Sequence, residues 1–157
     1  MPVLVRNATK DDAGKIAEFA IQLVDQHVAY DPERFARIGT REGMAWFYGG
    51  QTEAENAAVF VAEIDNRIIG FAYVTYEEKS YLDLAVSVAL LQDIFVDTSA
   101  RQTGSGRALI EATIEFAKQL GASKVMLHVA VRNTIGHEFF EKCGFRPTMS
   151  EMMLKLK

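Results

Sequence analysis

The stretch Arg101-Gln-Thr-Gly-Ser-Gly106, continued by Arg107, sits between an apolar run ending at Val96 and a helix-like pattern that starts immediately afterwards. Successive N–H groups that open a helix are unpaired donors, and the positive end of the helix dipole converges on the same spot. Gly104 and Gly106 carry no Cβ, so a bulky anion can approach the backbone there, with Arg101 and Arg107 adding positive charge at both ends. A pyrophosphate fits such a cradle. Gln102, Thr103 and Ser105 complete the candidate anion-binding set. A Walker loop fails, because Gly106 is followed by Arg107-Ala108 and not by Lys-Ser/Thr. A Rossmann fingerprint is weak: Leu109 stands where a small residue is needed, and Lys124 where an acidic one is. Taken alone, the loop reads equally well as a glycine-rich turn with no ligand.

Other reactive side chains are sparse. His27, His128 and His137 show neither i, i+4 pairing nor an H-E-x-x-H arrangement, and Cys143 is the one cysteine. A disulfide framework is excluded, and no metal site is expected. Asp93 stands in the strand that feeds the loop, as either a proton acceptor or an ordinary polar residue of an alternating strand.

Composition sets the frame. Apolar residues make up 49% of 157, charged residues 24%, and the net charge is −4. That is the profile of one soluble domain over residues 1–157, with no bias toward nucleic acid. The segment MPVLVRNATKDD lacks a charged region followed by an apolar one, and no apolar run approaches the eighteen or so residues of a membrane span. The expectation is a cytoplasmic protein with no membrane partner.

The elements that must position these residues follow from periodicity. Val3 to Ala8 reads as a strand, Thr9 as a helix cap, and Ile16, Phe19, Ala20 and Leu23 as one helical stripe. A second helix is predicted from about Pro32 through Trp46-Phe47-Tyr48, interrupted near Gly39 and stopped by Gly49-Gly50. Ala57 to Tyr76 reads as a hairpin turning at Asp65-Asn66, followed by a strand from Ala85 to Val96. The helix after the loop carries Leu109, Ala112, Phe116 and Leu120 and ends at Gly121. A strand from Val125 to Val131, a short helix from Thr134 to Lys142 and a last strand from Phe145 to Leu156 complete the order β, α, α, β, β, β, α, β, α, β. This implies an α/β (α+β) mixed sheet with helices packed on it.

Arg-x-x-Gly-x-Gly after a strand resembles the acetyl-CoA signature of the GNAT N-acetyltransferase superfamily. Asn133-Thr-Ile-Gly-His-Glu-Phe-Phe-Glu-Lys-Cys-Gly-Phe145 resembles a second block of that family, in the same order and at similar spacing. Leu91-Gln-Asp-Ile-Phe-Val96 is closest to its polyamine or diamine type. The resemblance implies a mostly antiparallel sheet with helices on both faces and one splayed parallel strand pair. It implies that Ile94, Phe95 and Val96 pair with the pantetheine arm and that the N–H groups from Gln102 to Arg107 hold the pyrophosphate. Asn133 would then contact the cosubstrate, with a helix N-cap as the other reading of that residue.

The implied reaction is acetyl transfer from acetyl-CoA, with no metal, to a primary amine of a small molecule. The alternatives are a protein or peptide amine, or a catalytically weak acyl-CoA-binding module. The amine must lose a proton first, and Asp93 is the candidate acceptor. Relatives of the polyamine type carry Glu where this chain has Gln92. The family's thiol-protonating tyrosine falls on Phe140, which has no proton to give. The family's acceptor pocket maps onto His27, Tyr30, Phe35 and Tyr76, with Asp31, Trp46, Tyr48, Glu77 and Glu78 nearby. A homodimer, formed in this family often through the last strands, is a further expectation.

Overall fold

The alternating apolar runs pair as the turn residues between them predict. A computed structural model describes residues 2–157. Its sheet contains β1 (Leu4–Asn7), β2 (Ala57–Ile64), β3 (Arg67–Ser80), β4 (Ala85–Val96) and β5 (Lys124–Leu127), in that spatial order. Strands β1 to β4 are successively antiparallel, and β5 lies parallel to β4. At the β2–β3 turn Asp65 and Asn66 have φ of 50° and 61°. A two-residue turn with both centres left-handed has the twist that strands need, and Asp and Asn tolerate that region.

Helices cover both faces. On one, α1 (Ala13–Tyr30) and α2 (Arg41–Gln51) enclose Ile16, Phe19, Tyr48, Val61, Phe71 and Phe95. On the other, α3 (Ser105–Gln119) sets Leu109 and Ile110 against Ala62, Ala72 and Leu91, with α4 (Thr134–Lys142) packed at the side. Phe19 and Phe71 are fully buried, and each such side chain is worth about 1.5–3 kcal/mol. Thr113, also buried, has its hydroxyl satisfied by donating to the Leu109 carbonyl at 2.9 Å.

The entry to α1 is tied to the sheet by Arg6. Its guanidinium donates to Asp12 Oδ2 at 2.8 Å and to Glu63 Oε1 at 2.7 Å, while Asp12 accepts from the Thr9 N–H at 2.8 Å. The Arg6 hydrogen bond holds the Asp12 carboxyl below its ordinary range.

Two expectations need correction. The second helix starts at Arg41, not near Pro32. Gly39 takes φ of +87°, which interrupts any helix, and the Thr40 hydroxyl then caps α2 by accepting from Gly43 N–H at 3.0 Å. Residues 31–34 form a turn in which Asp31 Oδ1 accepts from the Glu33 and Arg34 N–H groups. The second correction concerns the end of the sheet. β5 stops at Leu127, and residues 145–156 form no strand. Among the described residues, the backbone of 146–157 makes no hydrogen bond to any strand. The alternating pattern is present, but a strand exists only where an edge receives it. This arm is held by side chains instead, Arg34 to Glu151 and Lys155 to Glu33.

Candidate active site

Everything in the site depends on how β4 parts from β5. The two strands pair only from Val88↔Lys124 to Leu91↔Leu127. β4 continues to Val96 along β3, so its other edge is open from Gln92 to Val96. The parting coincides with an irregularity: Tyr73 faces Asp93 while Val74 faces Leu91, leaving Gln92 as an extra residue. Such a bulge bends its strand and changes which side chains point to which face. Phe95 belongs to the α1–α2 layer, whereas Ile94 and Leu91 both lie in the α3 layer. The bulge thereby sets Asp93, with Phe95, on the α1–α2 side. Gln92 is exposed and donates from Nε2 to Thr75 Oγ1 at 3.1 Å.

The open edge runs into the glycine loop. Asp97 caps a short turn, Gln102 takes φ of 63°, and Gly104 takes φ of +89° as the residue before α3. A left-handed residue aims consecutive N–H groups inward as an anion-binding concavity. Among the described residues, the N–H groups of 102–107 have no protein acceptor, and they stand where the dipole of a fifteen-residue helix is positive. Arg101 and Arg107 are exposed beside them. A Cβ on Gly104 would meet nothing within 4 Å, so that position opens to a ligand. Gly106 differs, because a Cβ there would meet the Phe139 ring at 3.0 Å. Ser105 is buried and its hydroxyl pairs with that of Thr103 at 2.6 Å, so its side chain faces inward and only its N–H faces the loop. These free donors and the open β4 edge fit a phosphorylated carrier with an extended arm.

Asp93 is the one carboxylate on the open part of β4. Tyr48 Oη donates to Asp93 Oδ2 at 2.7 Å. Burial pushes the Asp93 carboxyl above its ordinary range, while the Tyr48 hydrogen bond and the nearby His27 act in the opposite direction. Tyr48 is itself raised, first by burial and then by the Asp93 charge. Tyr73, the cross-strand partner of Asp93, gives its hydroxyl to Gln51 Oε1 at 2.9 Å. His27 donates from Nδ1 to the Leu23 carbonyl at 2.8 Å, which leaves Nε2 as its free nitrogen.

The sequence-derived acceptor residues divide. His27, Tyr30 and Phe35 come together at the end of α1, with ring centroids of His27 lying 5.8 Å from Tyr30 and 4.9 Å from Phe35. Trp46 is exposed on α2, and Asp31 is in the turn after α1. Tyr76 is not brought to them. Its hydroxyl meets Ser87 Oγ at 3.4 Å, and Ser87 in turn donates to the Gly121 carbonyl beyond α3, so Tyr76 lies on the opposite face from Asp93. Glu77 and Glu78 are on the same outlying part of the β3–β4 hairpin.

On α4, Asn133 caps the helix by accepting from Gly136 N–H at 2.9 Å. Its Nδ2 remains available to a ligand, and Gly136 has room for no side chain against it. Phe140 is half-buried, with its centroid 5.3 Å from Phe139 and 5.9 Å from Phe145. His137 is engaged with the Ala130 carbonyl at 3.1 Å. Burial raises the Cys143 thiol, which favours its protonated form. No group of His, Cys, Asp and Glu among the described residues is arranged to hold a metal. Tyr73, Gln51 and the Gln92 bulge are absent from the sequence-derived site. Nothing local marks a bulge, and Tyr73 takes its place through strand register, with Gln51 reaching it from the end of α2.

Comparison with known proteins agrees with this geometry. The profile of the acetyltransferase (GNAT) family matches residues 20–145. An uncharacterised N-acetyltransferase of Methanocaldococcus jannaschii is 31% identical over 144 residues, covering 90% of this chain and 59% of that protein. A glucosamine 6-phosphate N-acetyltransferase of Trypanosoma brucei brucei is 33% identical over 98 residues, covering 62% of this chain and 64% of the relative. The chain thus spans less than two thirds of the length of these curated relatives. Among solved structures, a mutant protein of Bacillus halodurans superposes with a TM-score of 0.84 at 22% identity, over 98% of this chain and 99% of that one. An aminoglycoside N-acetyltransferase in complex with CoA gives 0.80 at 22% identity, over 99% and 95%. A split parallel strand pair, a glycine loop opening α3 and a family profile over most of the chain lead to one conclusion: the chain belongs to the GNAT acetyltransferase family.

Proposed function

We propose that this chain transfers an acetyl group from acetyl-CoA to a primary amine of a small molecule. The observation that carries the reading is continuity: the open β4 edge from Gln92 to Val96 leads directly into the unpaired N–H groups of 102–107, with Asp93 on the same stretch. Ile94, Phe95 and Val96 offer backbone groups to an extended pantetheine arm, as an added strand would. Residues 102–107, with Arg101 and Arg107, hold the pyrophosphate, and Asn133 Nδ2 adds a contact from α4. Phe140 packs beside the thiol end without a proton to donate.

Asp93 accepts the proton of the bound ammonium, directly or through water, so that a neutral amine reaches the thioester. The C–N bond forms, the C–S bond breaks, and the second nitrogen proton passes through water to the leaving sulfur, giving the amide and the free thiol. The open nitrogen of His27, with Tyr30 and Phe35, makes an aromatic and polar rim that suits a cationic acceptor. A homodimer is part of the same proposal. It is supported by the exposed arm of 146–157, whose Met149, Met152, Leu154 and Leu156 are more than 80% exposed.

Thiol release from acetyl-CoA is the test, with 1,3-diaminopropane, glucosamine 6-phosphate, an aminoglycoside and short peptides as acceptors. Amine-dependent release with a small acceptor is expected. Release with peptides alone would move the acceptor to proteins. Tight CoA binding without release for any amine would favour an acyl-CoA-binding module, the reading to which Phe140 lends support.

A further inference from the structure

This inference rests on the reading of Asp93 as the proton acceptor. We propose that Tyr48 is a positioning residue for that step: its phenol, delivered by α2, fixes Oδ2 of Asp93 at 2.7 Å and so reserves Oδ1 for the acceptor amine.

The ring of Tyr48 has no freedom to do otherwise. It is 7% exposed and makes edge contacts with Phe47, Phe71 and Tyr73 at centroid distances of 5.2, 5.4 and 5.8 Å. A phenol so wedged places its hydroxyl at one point, and that point is Asp93. Three titratable groups face Asp93 from the elements around it: Tyr48 from α2, Tyr73 from β3 and His27 from α1. Only Tyr48 is bonded to it, because Tyr73 donates to Gln51 and His27 Nδ1 to Leu23. Among the described residues the carboxylate therefore has one oxygen committed and one free, which defines the direction from which a proton arrives. The same bond also opposes the effect of burial on Asp93. Burial and the adjacent carboxylate keep the phenol protonated, so it remains a donor throughout the range where an amine substrate is turned over.

If Tyr48 only filled the core, Tyr48→Phe would remove one hydroxyl with little change in shape and leave Asp93 titrating as before. If it positions the carboxylate, the loss raises the Asp93 pKa further. Two readouts separate these cases. The first needs no substrate: carboxyl-labelled aspartate, titrated by carbon NMR in the full chain, with the Asp93 signal assigned by its absence in Asp93→Asn. The second is the pH profile of kcat/KM for thiol release with the fastest amine of the panel. Tyr48→Phe should move the Asp93 titration and the acid limb of the profile upward together, by about one pH unit. The tenfold loss below the limb should shrink at high pH, and the KM for acetyl-CoA should stay unchanged. As a control on folding, 3-fluorotyrosine at position 48 keeps the ring and donates more strongly, and should move both readouts downward.

An unmoved Asp93 titration in both variants, or a loss equal at all pH values, overturns the role of Tyr48. Asp93→Asn that keeps full activity and the wild-type profile overturns the reading of Asp93 as acceptor, and the proposal with it. Asp93→Asn that abolishes turnover while Tyr48→Phe leaves the limb in place overturns the positioning role alone.

Discussion

A Cβ at Gly106 would lie 3.0 Å from the Phe139 ring, so the first turn of α3 and the aromatic face of α4 meet at a glycine. From sequence, Gly104 and Gly106 looked equivalent, both clearing space for an anion. The structure separates them: Gly104 has positive φ and open space beside it, and Gly106 has a packing partner. Gly106→Ala should cost on the order of 1 kcal/mol, because overpacking against Phe139 is partly offset by the helix propensity that alanine gains. Adding Phe139→Leu should recover the melting temperature. If Gly106 also gives the pyrophosphate access, the double variant stays at least about tenfold weaker for CoA by calorimetry, a difference of roughly 1.4 kcal/mol. Recovery of affinity together with stability would make the glycine a packing residue only.

Charge at the loop can be tested without touching its packing. Arg101 is exposed, and among the described residues its side chain makes one hydrogen bond, a 3.5 Å approach to the Val96 carbonyl. Arg101→Gln should leave the unfolding free energy within about 0.5 kcal/mol of wild type. A charge-assisted bond to phosphate is worth about 1.5–3 kcal/mol, so CoA affinity should fall about tenfold or more. The dependence of affinity on salt should also weaken. Unchanged affinity and salt dependence would remove Arg101 from the site.

These two residues indicate how far the sequence could be read. The loop, its helix and the hairpins carry local signals: turn residues, a cap, period changes. Each was legible because its cause lies within a few residues. The bulge at Gln92 was not, since register depends on β3, and with it went the placement of Asp93 against Tyr48 and Tyr73. Tyr76 lies apart from His27, Tyr30 and Phe35 for the same reason, because which face it occupies follows from the same pairing. The start of α2 has a local signal of its own, Thr40 three residues ahead of Gly43. The arm at 145–156 has a strand pattern whose partner edge is not engaged within the chain, and no pattern reports the absence of a partner.

Phe140 tests the protonation of the leaving thiol. It is half-buried against Phe139 and Phe145, so a para hydroxyl extends an aromatic ring already in place. A thiol of pKa about 8.5 leaves tolerably without an acid, and the benefit of one is accordingly below the roughly 10²-fold where the usual range begins. Phe140→Tyr should raise kcat about tenfold with the best amine. A rate that is unchanged or lower would show that water already serves this step fully.

The exposed arm predicts an assembly. Met152, Leu154 and Leu156 alternate with Met153, Lys155 and Lys157, which is a strand pattern with one apolar side. Among the described residues the outer edge of β5 has no strand on it. Light scattering should give twice the mass of one chain, and Leu154→Lys combined with Leu156→Lys should halve it while CoA binding persists. A single-chain mass for the unmodified protein at all concentrations would end the dimer proposal.

Asp93 should also be costly to the fold. Its carboxyl is raised chiefly by burial, so the folded protein holds the proton at pH values where the unfolded chain, titrating near 3.9, has released it. Between those two pKa values the folded state binds more protons, and stability falls as pH rises through the window. Below the ordinary carboxylate range the group contributes no deficit; above the raised pKa the full deficit is present. Asp93→Asn removes the titration while its amide oxygen can still accept from Tyr48. The variant should therefore melt close to wild type at about pH 3.5 and above it at pH 8, on the premise that Asp93 titrates upward from its reference near 3.9. Each kcal/mol of the difference reads as about 2–4 °C in a chain of this size. A difference in melting temperature that does not grow with pH would mean that the carboxylate is solvated well enough to ionise normally. Its ability to take a proton from an amine near neutral pH would then need another cause.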